Sequence, residues 1–198
     1  MTCSSLEDTK KYRGNVLMNK VLKIIPTFLL GLSLGGVTST TFISTTVNAT
    51  ALKTVHPDPN ASEREWTYKD NVFDAGNETY RFTKHKVMKV EGKNYLILYV
   101  DVTNNSTKSL NPSLVTMVLR VTQDTPDQVK TLEDDTIATD ANGLEPLEDN
   151  LYDKLKPGKA VHACIEYELA DTKSPVTINF LDSTTANTIG QKTIQLKH

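Results

Sequence analysis

The sequence Tyr95-Leu-Ile-Leu-Tyr-Val-Asp-Val-Thr-Asn-Asn-Ser-Thr-Lys-Ser-Leu-Asn-Pro112 decides the fold, because it joins a long alternating strand to a polar turn. Side chains alternate between the two faces of a strand, so every second residue lies on the same side. One face is wholly apolar and consists of Leu96, Leu98, Val100 and Val102. The other face is amphipathic and consists of Tyr95, Ile97, Tyr99, Asp101 and Thr103. An apolar face needs a second layer to cover it, so this segment is predicted to be a central strand of a two-layered β domain.

Strand-like segments also lie on both sides of this stretch, at 66–73, 79–90, 115–122, 160–169, 176–181 and 192–196. Glu91-Gly92-Lys93-Asn94 predicts a tight reversal, so segment 79–90 should form a hairpin with the strand that begins at Tyr95. Simple alternation places Tyr80, Phe82, Met88 and Val90 on one face, which Lys84 and Lys86 interrupt. Together these segments predict an all-β, immunoglobulin-like β-sandwich of about seven strands over residues 66–198.

Residues 124–153 form an acidic segment in which Lys130 is the only basic residue. A short strand near 129–132 or a turn of helix near 146–151 fits inside it, but most of it is predicted to be a surface excursion of the kind that often carries binding sites. Asp140-Ala-Asn-Gly143 resembles part of a calcium loop. The first and twelfth ligand positions would then be Ala138 and Asp149, which do not fit the helix-loop-helix pattern. We therefore expect a solvated acidic loop, with calcium binding as the alternative.

The N-terminal part of the chain has the pattern of an export signal. Lys20 and Lys23 precede an apolar run, and Val47-Asn-Ala-Thr-Ala51 offers small residues for cleavage after Ala49 or Ala51. The run is short for a membrane span and Pro26 interrupts it, so cleavage is favoured over anchoring. We predict an N-terminal extension and signal peptide at 1–49, with translation from Met18 favoured over Met1, and a flexible, proline-containing linker at 50–65. The protein is expected to be secreted, extracellular or associated with the cell surface.

The two cysteines bear on redox chemistry and on attachment. Cys3 precedes the predicted cleavage sites, so the mature chain would keep Cys164 alone and form no internal disulfide. No cysteine lies just after the apolar run, so there is no candidate for lipid attachment at a new N-terminus. Strand parity places Cys164 on the face opposite the core, where it is either exposed and able to cross-link two chains or covered and inert.

Few residues carry a signature of chemistry. The histidines lie at His56, His85, His162 and His198, without the spacing of a zinc site. His162 and Cys164 share a strand face and form the one candidate imidazole–thiol pair, but no orienting group accompanies them. Tyr95, Tyr99 and Trp66 are candidates for an aromatic platform that binds sugar or peptide, although such side chains more often pack on neighbours. No catalytic, cofactor-binding or metal-binding residue is assigned, and we expect a protein that is not an enzyme.

Several stretches resemble a family of uncharacterised secreted proteins of Gram-positive bacteria. Their domain is immunoglobulin-like and akin to a mycobacterial immunoprotective extracellular antigen. The similar stretches are Trp66 to Phe73, Val102-Thr-Asn-Asn-Ser-Thr-Lys-Ser-Leu-Asn-Pro112, Leu155-Lys-Pro-Gly158, and the segment from Tyr167 to Thr177. The resemblance implies an extracellular sandwich and brings no catalytic residues.

These observations favour a non-enzymatic extracellular binding or surface-interaction module. Its partner would be an unknown extracellular protein or cell-envelope component, without cofactor or permanent membrane anchor. A formal net charge of -2 gives no basic footprint for nucleic acid. The alternatives are a calcium-binding or carbohydrate-binding accessory domain, and an enzyme.

Overall fold

A computed structural model of the chain describes residues 52–196. The predicted signal peptide, Cys3 and His198 lie outside the described residues. The strands are β1 Thr67–Lys69, β2 Val72–Asp74, β3 Glu78–Val90, β4 Lys93–Asn104, β5 Leu119–Asp124, β6 Val129–Leu132, β7 Asp134–Asp135, β8 Ala160–Glu168, β9 Val176–Leu181 and β10 Thr188–Ile194. The helices are α1 Glu145–Tyr152 and two 3-10 helices, Ala61–Glu63 and Pro112–Val118. No helix in residues 52–196 is long and apolar enough to cross a membrane.

Within residues 52–196 the strands form two antiparallel sheets, which confirms the predicted β-sandwich. One sheet has the order β1-β2-β3-β4-β8-β7 and the other has the order β10-β9-β5-β6. The predicted hairpin is β3–β4, and its turn uses left-handed φ angles of 50° at Glu91 and 88° at Gly92. The strands outnumber the predicted seven because segment 66–73 splits into β1 and β2, and the acidic segment adds β6 and β7.

The main core lies between the two sheets, on the predicted apolar face of β4. Its fully buried members include Leu96, Leu98, Val100 and Val102 from β4 and Ile165 from β8. The facing sheet contributes Val121, Val176, Ile178 and Phe180. Phe180 also stacks on Tyr68 of β1, with ring centroids 3.8 Å apart. The buried face of the organising strand was therefore predicted correctly.

A β-bulge in β3 corrects the predicted alternation of that strand. Phe82 pairs with Val100 and Lys84 pairs with Tyr99, so Thr83 is the extra residue. An extra residue switches the remaining side chains to the opposite face. Tyr80 and Phe82 therefore enter the main core, whereas Met88 and Val90 pack in a second cluster on the outer face of the sheet. The predicted common face for these four residues was wrong.

Part of the outer face of the six-stranded sheet is covered by residues 137–152, here called the cover segment. Leu144 is buried against Tyr95, Ile97 and Cys164, and α1 packs along β8. The predicted short strand and turn of helix in the acidic region are both present, as β6 and α1. Much of the segment that was predicted to be a surface excursion therefore covers a second apolar cluster. Its acidic side chains lie on the side away from that cluster.

Residues 112–118 differ from the strand that alternation predicted. Asn111 accepts a hydrogen bond from the Ser113 amide at 3.0 Å and Pro112 begins a 3-10 helix, so strand geometry starts only at Leu119. Alternation within the predicted strand 115–122 would place Met117 on the same face as Val115, but Val115 is buried and Met117 is 77% exposed.

The segment expected to be a flexible linker packs on the sandwich over residues 55–64. The Val55 amide donates to the Gly158 carbonyl at 3.0 Å, and the Asp58 amide donates to the Asn105 carbonyl. Ala61 is buried. A Cβ on Gly158, whose φ is 67°, would lie 2.4 Å from the Val55 carbonyl oxygen, so glycine permits this close approach.

Candidate binding groove

A groove of about 580 Å³ crosses the outer face of the six-stranded sheet where the cover segment ends. Its floor is formed by β3, β4 and β8, and its sides are Leu147 of α1 and Leu52–Lys53 of the N-terminal segment. A smaller depression of about 240 Å³ shares Lys53, Arg81 and Asp101 with it and reaches Asn105. The packed N-terminal segment therefore builds one wall of an extended groove.

A row of three polar residues crosses the groove floor. Arg81 of β3 is in register with Asp101 of β4, and Asp101 is in register with His162 of β8. The Asp101 carboxylate oxygen Oδ1 lies 2.7 Å from His162 Nδ1, while half of the His162 side chain is exposed. Asp101 thus orients the imidazole toward solvent, and the side chain of Arg81 remains without an ion-pair partner among residues 52–196.

The next row across the sheet contains Lys84, Tyr99 and Cys164. The Lys84 ammonium nitrogen lies 4.3 Å from the centroid of the Tyr99 ring. The bulge at Thr83 makes this contact possible, because it turns Lys84 outward. Burial raises the pKa of Tyr99, and the nearby Cys164 and Glu166 raise it further, so the hydroxyl stays protonated.

Cys164 does not pair with His162 as the sequence motif suggested. Its thiol is fully buried beneath the cover segment and donates to Glu166 Oε1 at 3.0 Å. Burial raises the pKa of the thiol strongly, and the hydrogen bond and charge of Glu166 act in the same direction. A thiol held protonated in this way is a poor nucleophile. Of the two alternatives for Cys164, the structure confirms the covered one.

We expect thiol reagents to modify native Cys164 on the order of a hundredfold more slowly than in the unfolded chain, because access requires the cover segment to open. The measurement is Ellman titration, with and without urea, of the chain beginning at Thr50, which contains Cys164 alone. Electrophoresis without reductant should show monomer. Rapid native modification, or a dimer that Cys164→Ser removes, would contradict the structure.

The other candidates from the sequence are not brought together. Trp66 packs edge-on against Phe73 at 5.7 Å, whereas Tyr95 and Tyr99 lie on the outer face of the sheet, so the three do not form one platform. The calcium-like turn is held by Asn142, whose side chain accepts from the Thr139 and Leu144 amides. Residues 52–196 contain no group of three or more His, Cys, Asp or Glu side chains arranged to hold a metal.

Sequence reasoning missed the basic residues of the groove and two buried glutamates. Lys53 and Arg81 become neighbours only through long-range packing. Glu78 and Glu166 are 6% and 2% exposed, although both occur in strand segments where a carboxylate is usually at the surface. Burial raises the pKa of each from 4.5 to about 7. The available signal for Glu166 was its position between Ile165 and Tyr167, whereas Glu78 lies at the start of a strand of mixed polarity that gave no such signal.

Comparisons with known proteins agree with the fold. Residues 53–182 match a family described as a domain of unknown function, DUF5067. A "putative lipoprotein" from Staphylococcus aureus has 22% identity and a TM-score of 0.59, over 67% of this chain and 92% of that chain. The protein from Enterococcus faecalis solved by NMR has 19% identity and a TM-score of 0.56, over 71% of this chain and 99% of that chain. Comparison with curated proteins gives no significant match.

Proposed function

The chain belongs to the DUF5067 family, whose function is unknown, and we propose that the protein is an extracellular, non-enzymatic binding module for an anionic, partly apolar ligand. We infer this function from the groove. The observation that carries this proposal is the local charge. Lys53, Arg81 and Lys84 line the groove, with Asp101 as the sole carboxylate among its lining residues. Asp101 is already engaged with His162.

The charge is local, since the whole chain has a formal net charge of -2. Unpaired cations beside a cleft raise the local concentration of anions and provide hydrogen-bond donors for carboxylate or phosphate. Arg81 is suited to bidentate contact with such groups because its guanidinium is planar. The groove therefore favours the binding of a carboxylate or phosphate group at its Arg81 side.

The remaining lining residues suit an apolar portion of the same ligand. They are Leu52, Tyr99 and Leu147, whereas the side chains of Val100 and Ala163 are buried in the main core and these two residues border the groove through their backbone. The volume is within the range of about 300–1,000 Å³ that is usual for small-ligand sites. The adjoining depression beside Lys53 and Arg81 would extend the contact along the ligand.

A binding role is also supported by the hydroxyl groups of the groove. Among the lining residues only Thr83 and Tyr99 carry one. The Thr83 hydroxyl donates to the Tyr99 carbonyl at 3.2 Å, and the pKa of Tyr99 is raised. Neither arrangement activates a nucleophile for His162.

The extracellular setting rests on the export-like sequence of residues 18–51 and on the description of the staphylococcal neighbour as a "putative lipoprotein". The predicted kinship with the mycobacterial antigen stays a prediction and would imply the same setting. Cysteines occur at positions 3 and 164 only, so a lipid attached directly after the apolar run is not part of the proposal.

The proposal is tested with hexyl phosphate and its neutral counterpart hexyl glucoside, using calorimetry and amide chemical shifts. Hexyl phosphate should bind and shift the amides of β3, β4 and β8 around the groove, whereas hexyl glucoside should bind more weakly. Arg81→Gln combined with Lys84→Gln should weaken hexyl phosphate binding at least about tenfold, equivalent to about 1.4 kcal/mol. Added salt should weaken it as well.

Lys86→Gln combined with Lys89→Gln is the matched control, because both are exposed lysines of β3 outside the groove and their replacement removes the same two charges. It should leave binding unchanged. Equal loss with this control would reduce the effect to general charge. Equal binding of the two hexyl compounds, or shifts confined to the opposite sheet, would refute an anion site in this groove.

A further inference from the structure

A second cavity of about 150 Å³ lies at the end of the sandwich where β3 begins. Its walls are mostly apolar and come from Trp66, Leu110, Leu114, Val115 and Val118. Glu78 and Tyr80 of β3 line it as well and bring a carboxylate and a phenol to an apolar surface. The groove described above is lined by a different set of residues, so the two sites are distinct.

Glu78 is an unusual residue to bury there, since it is only 6% exposed. The Tyr80 hydroxyl lies 2.8 Å from Glu78 Oε2 and 3.0 Å from the Pro112 carbonyl oxygen. The other carboxylate oxygen, Oε1, is buried and has no hydrogen-bond partner among residues 52–196. An unsatisfied buried acceptor costs about 1–3 kcal/mol, so a donor that reached it would be bound favourably.

The proton count shows that Oε1 stays an acceptor. A single phenolic proton cannot serve both Glu78 and Pro112, so both contacts are satisfied only when a proton on Glu78 Oε2 is donated to the Tyr80 oxygen. In that state Oε1 is a carbonyl-type acceptor, and after ionisation it is a carboxylate oxygen. A ligand at this position must therefore present an N–H or O–H donor.

We propose that this cavity is a binding site for a primary ammonium group on a short alkyl chain, with Glu78 as the counter-ion and Trp66 and Tyr80 as aromatic walls. An ammonium group supplies donors and positive charge, and it is attracted to the faces of aromatic rings. At about 30 Å³ for each water-sized group, the cavity accepts about five heavy atoms, the size of a butylammonium ion. A free alkylamine and the lysine side chain of another protein both have this chemistry.

The chain provides its own reporter, because Trp66 is its only tryptophan. We expect n-butylammonium to change the Trp66 fluorescence saturably at about pH 8, where Glu78 is ionised and the amine is charged. n-Butanol and butyrate, which match its size, should not do so. Glu78→Gln should reduce the affinity at least about tenfold, while its thermal transition shows that it is folded.

Glu65→Gln is the matched control, because Glu65 is exposed and adjacent to Trp66 in sequence. It removes the same formal charge near the same fluorophore and should leave binding unchanged. Nα-acetyl-lysinamide distinguishes the two sources: if it binds as well as n-butylammonium, a lysine side chain fits the cavity, and weaker binding favours a free amine. Binding of n-butanol equal to that of the amine, or full binding by folded Glu78→Gln, would overturn the site.

Discussion

Leu98→Asp is expected to unfold the sandwich. Leu98 is 2% exposed at the centre of β4, where it pairs with His85 of β3 and Ile165 of β8 and packs into the core between the sheets. The substitution loses the packing of a buried leucine, about 2–5 kcal/mol, and places an unpaired carboxylate in the core at a further cost of several kcal/mol. The sum is comparable with a typical total stability of about 5–15 kcal/mol.

Thr103→Asp is the matched control, because Thr103 lies on the opposite face of the same strand, where Asp101 is already tolerated. Circular dichroism and amide chemical-shift dispersion should show a folded Thr103→Asp protein and a largely unfolded Leu98→Asp protein. A Leu98→Asp variant that stays soluble and melts cooperatively near the wild-type temperature would show that the assigned face of β4 is wrong.

The sequence was sufficient for the strands whose two faces differ in polarity. β4, β8 and β9 were predicted close to their observed bounds, since alternation, as at Leu96, Leu98 and Val100, leaves one orientation of the strand that buries its apolar face. β3 was placed correctly but given one continuous face. Lys84 and Lys86 at supposed core positions were the evidence for a bulge, because two lysines in a core would require paired charges.

The covered outer face could not be predicted from local pattern. Alternation identifies a half-polar face, but it does not show that a segment about forty residues away will fold onto it. Ile97 was therefore assigned to the non-core face without an expected cover, and for Cys164 the covered and exposed alternatives both stayed open, whereas both residues are fully buried beneath the cover segment. The burial of both faces of β4 and β8 depends on tertiary packing and cannot be read from the sequence of either strand.

The candidate site was less predictable than the fold. His162 was recognised from its strand position, but its partner Asp101 depends on the β4–β8 register, which local sequence does not fix. Arg81 joins the row only because the bulge at Thr83 shifts the β3–β4 pairing by one residue, so that Arg81 lies opposite Asp101 and not opposite Val102. Lys53 lines the groove only because the N-terminal segment packs on the sandwich. The prediction of a flexible linker at 50–65 excluded such packing.

The stability of the protein is expected to be greatest in mildly acidic solution and to fall as the pH rises from about 4.5 to 7. Burial raises the pKa of Glu78 and Glu166 from 4.5 to about 7. Between these values the unfolded chain has released both protons and the folded protein still holds them. Folding is then linked to proton uptake, so stability decreases with pH and becomes level above about pH 7.

The size of this effect follows from the shift, since one pKa unit corresponds to about 1.4 kcal/mol. Ionisation of each glutamate is thus expected to lower the free energy of unfolding by as much as about 3 kcal/mol between about pH 5 and pH 8. Below this range the pKa values of two half-buried aspartates have the opposite effect on stability. Backbone hydrogen bonds lower the pKa of Asp171 and Asp182, so the stability that they provide is lost as the pH falls below about 4.

Glu166 tests the predicted pH dependence more sharply than Glu78 does, because of the groups that face it. It hydrogen-bonds to Cys164 on its own strand, and Glu148 of α1 and Asp135 of β7 raise its pKa in addition to burial. No cation is among these causes, so ionisation of Glu166 adds a negative charge beneath the acidic cover segment. We expect the cover segment to loosen first at alkaline pH, which would be seen as faster modification of Cys164.

Urea denaturation of wild type, Glu166→Gln, Glu78→Gln and Glu65→Gln at about pH 5 and pH 8 measures the linkage directly. Each buried glutamate replaced by glutamine should remove its share of the pH dependence, and each variant should be more stable than wild type at the higher pH, because a neutral amide avoids the buried charge. The exposed Glu65 should show the wild-type dependence. Two results would contradict this expectation: a wild-type stability that rises between about pH 5 and pH 8, or a Glu166→Gln variant whose stability depends on pH as strongly as that of wild type. Either result would mean that Glu166 is ionised in the folded protein at neutral pH. Its burial would then be compensated by a donor or cation other than the groups that face it here.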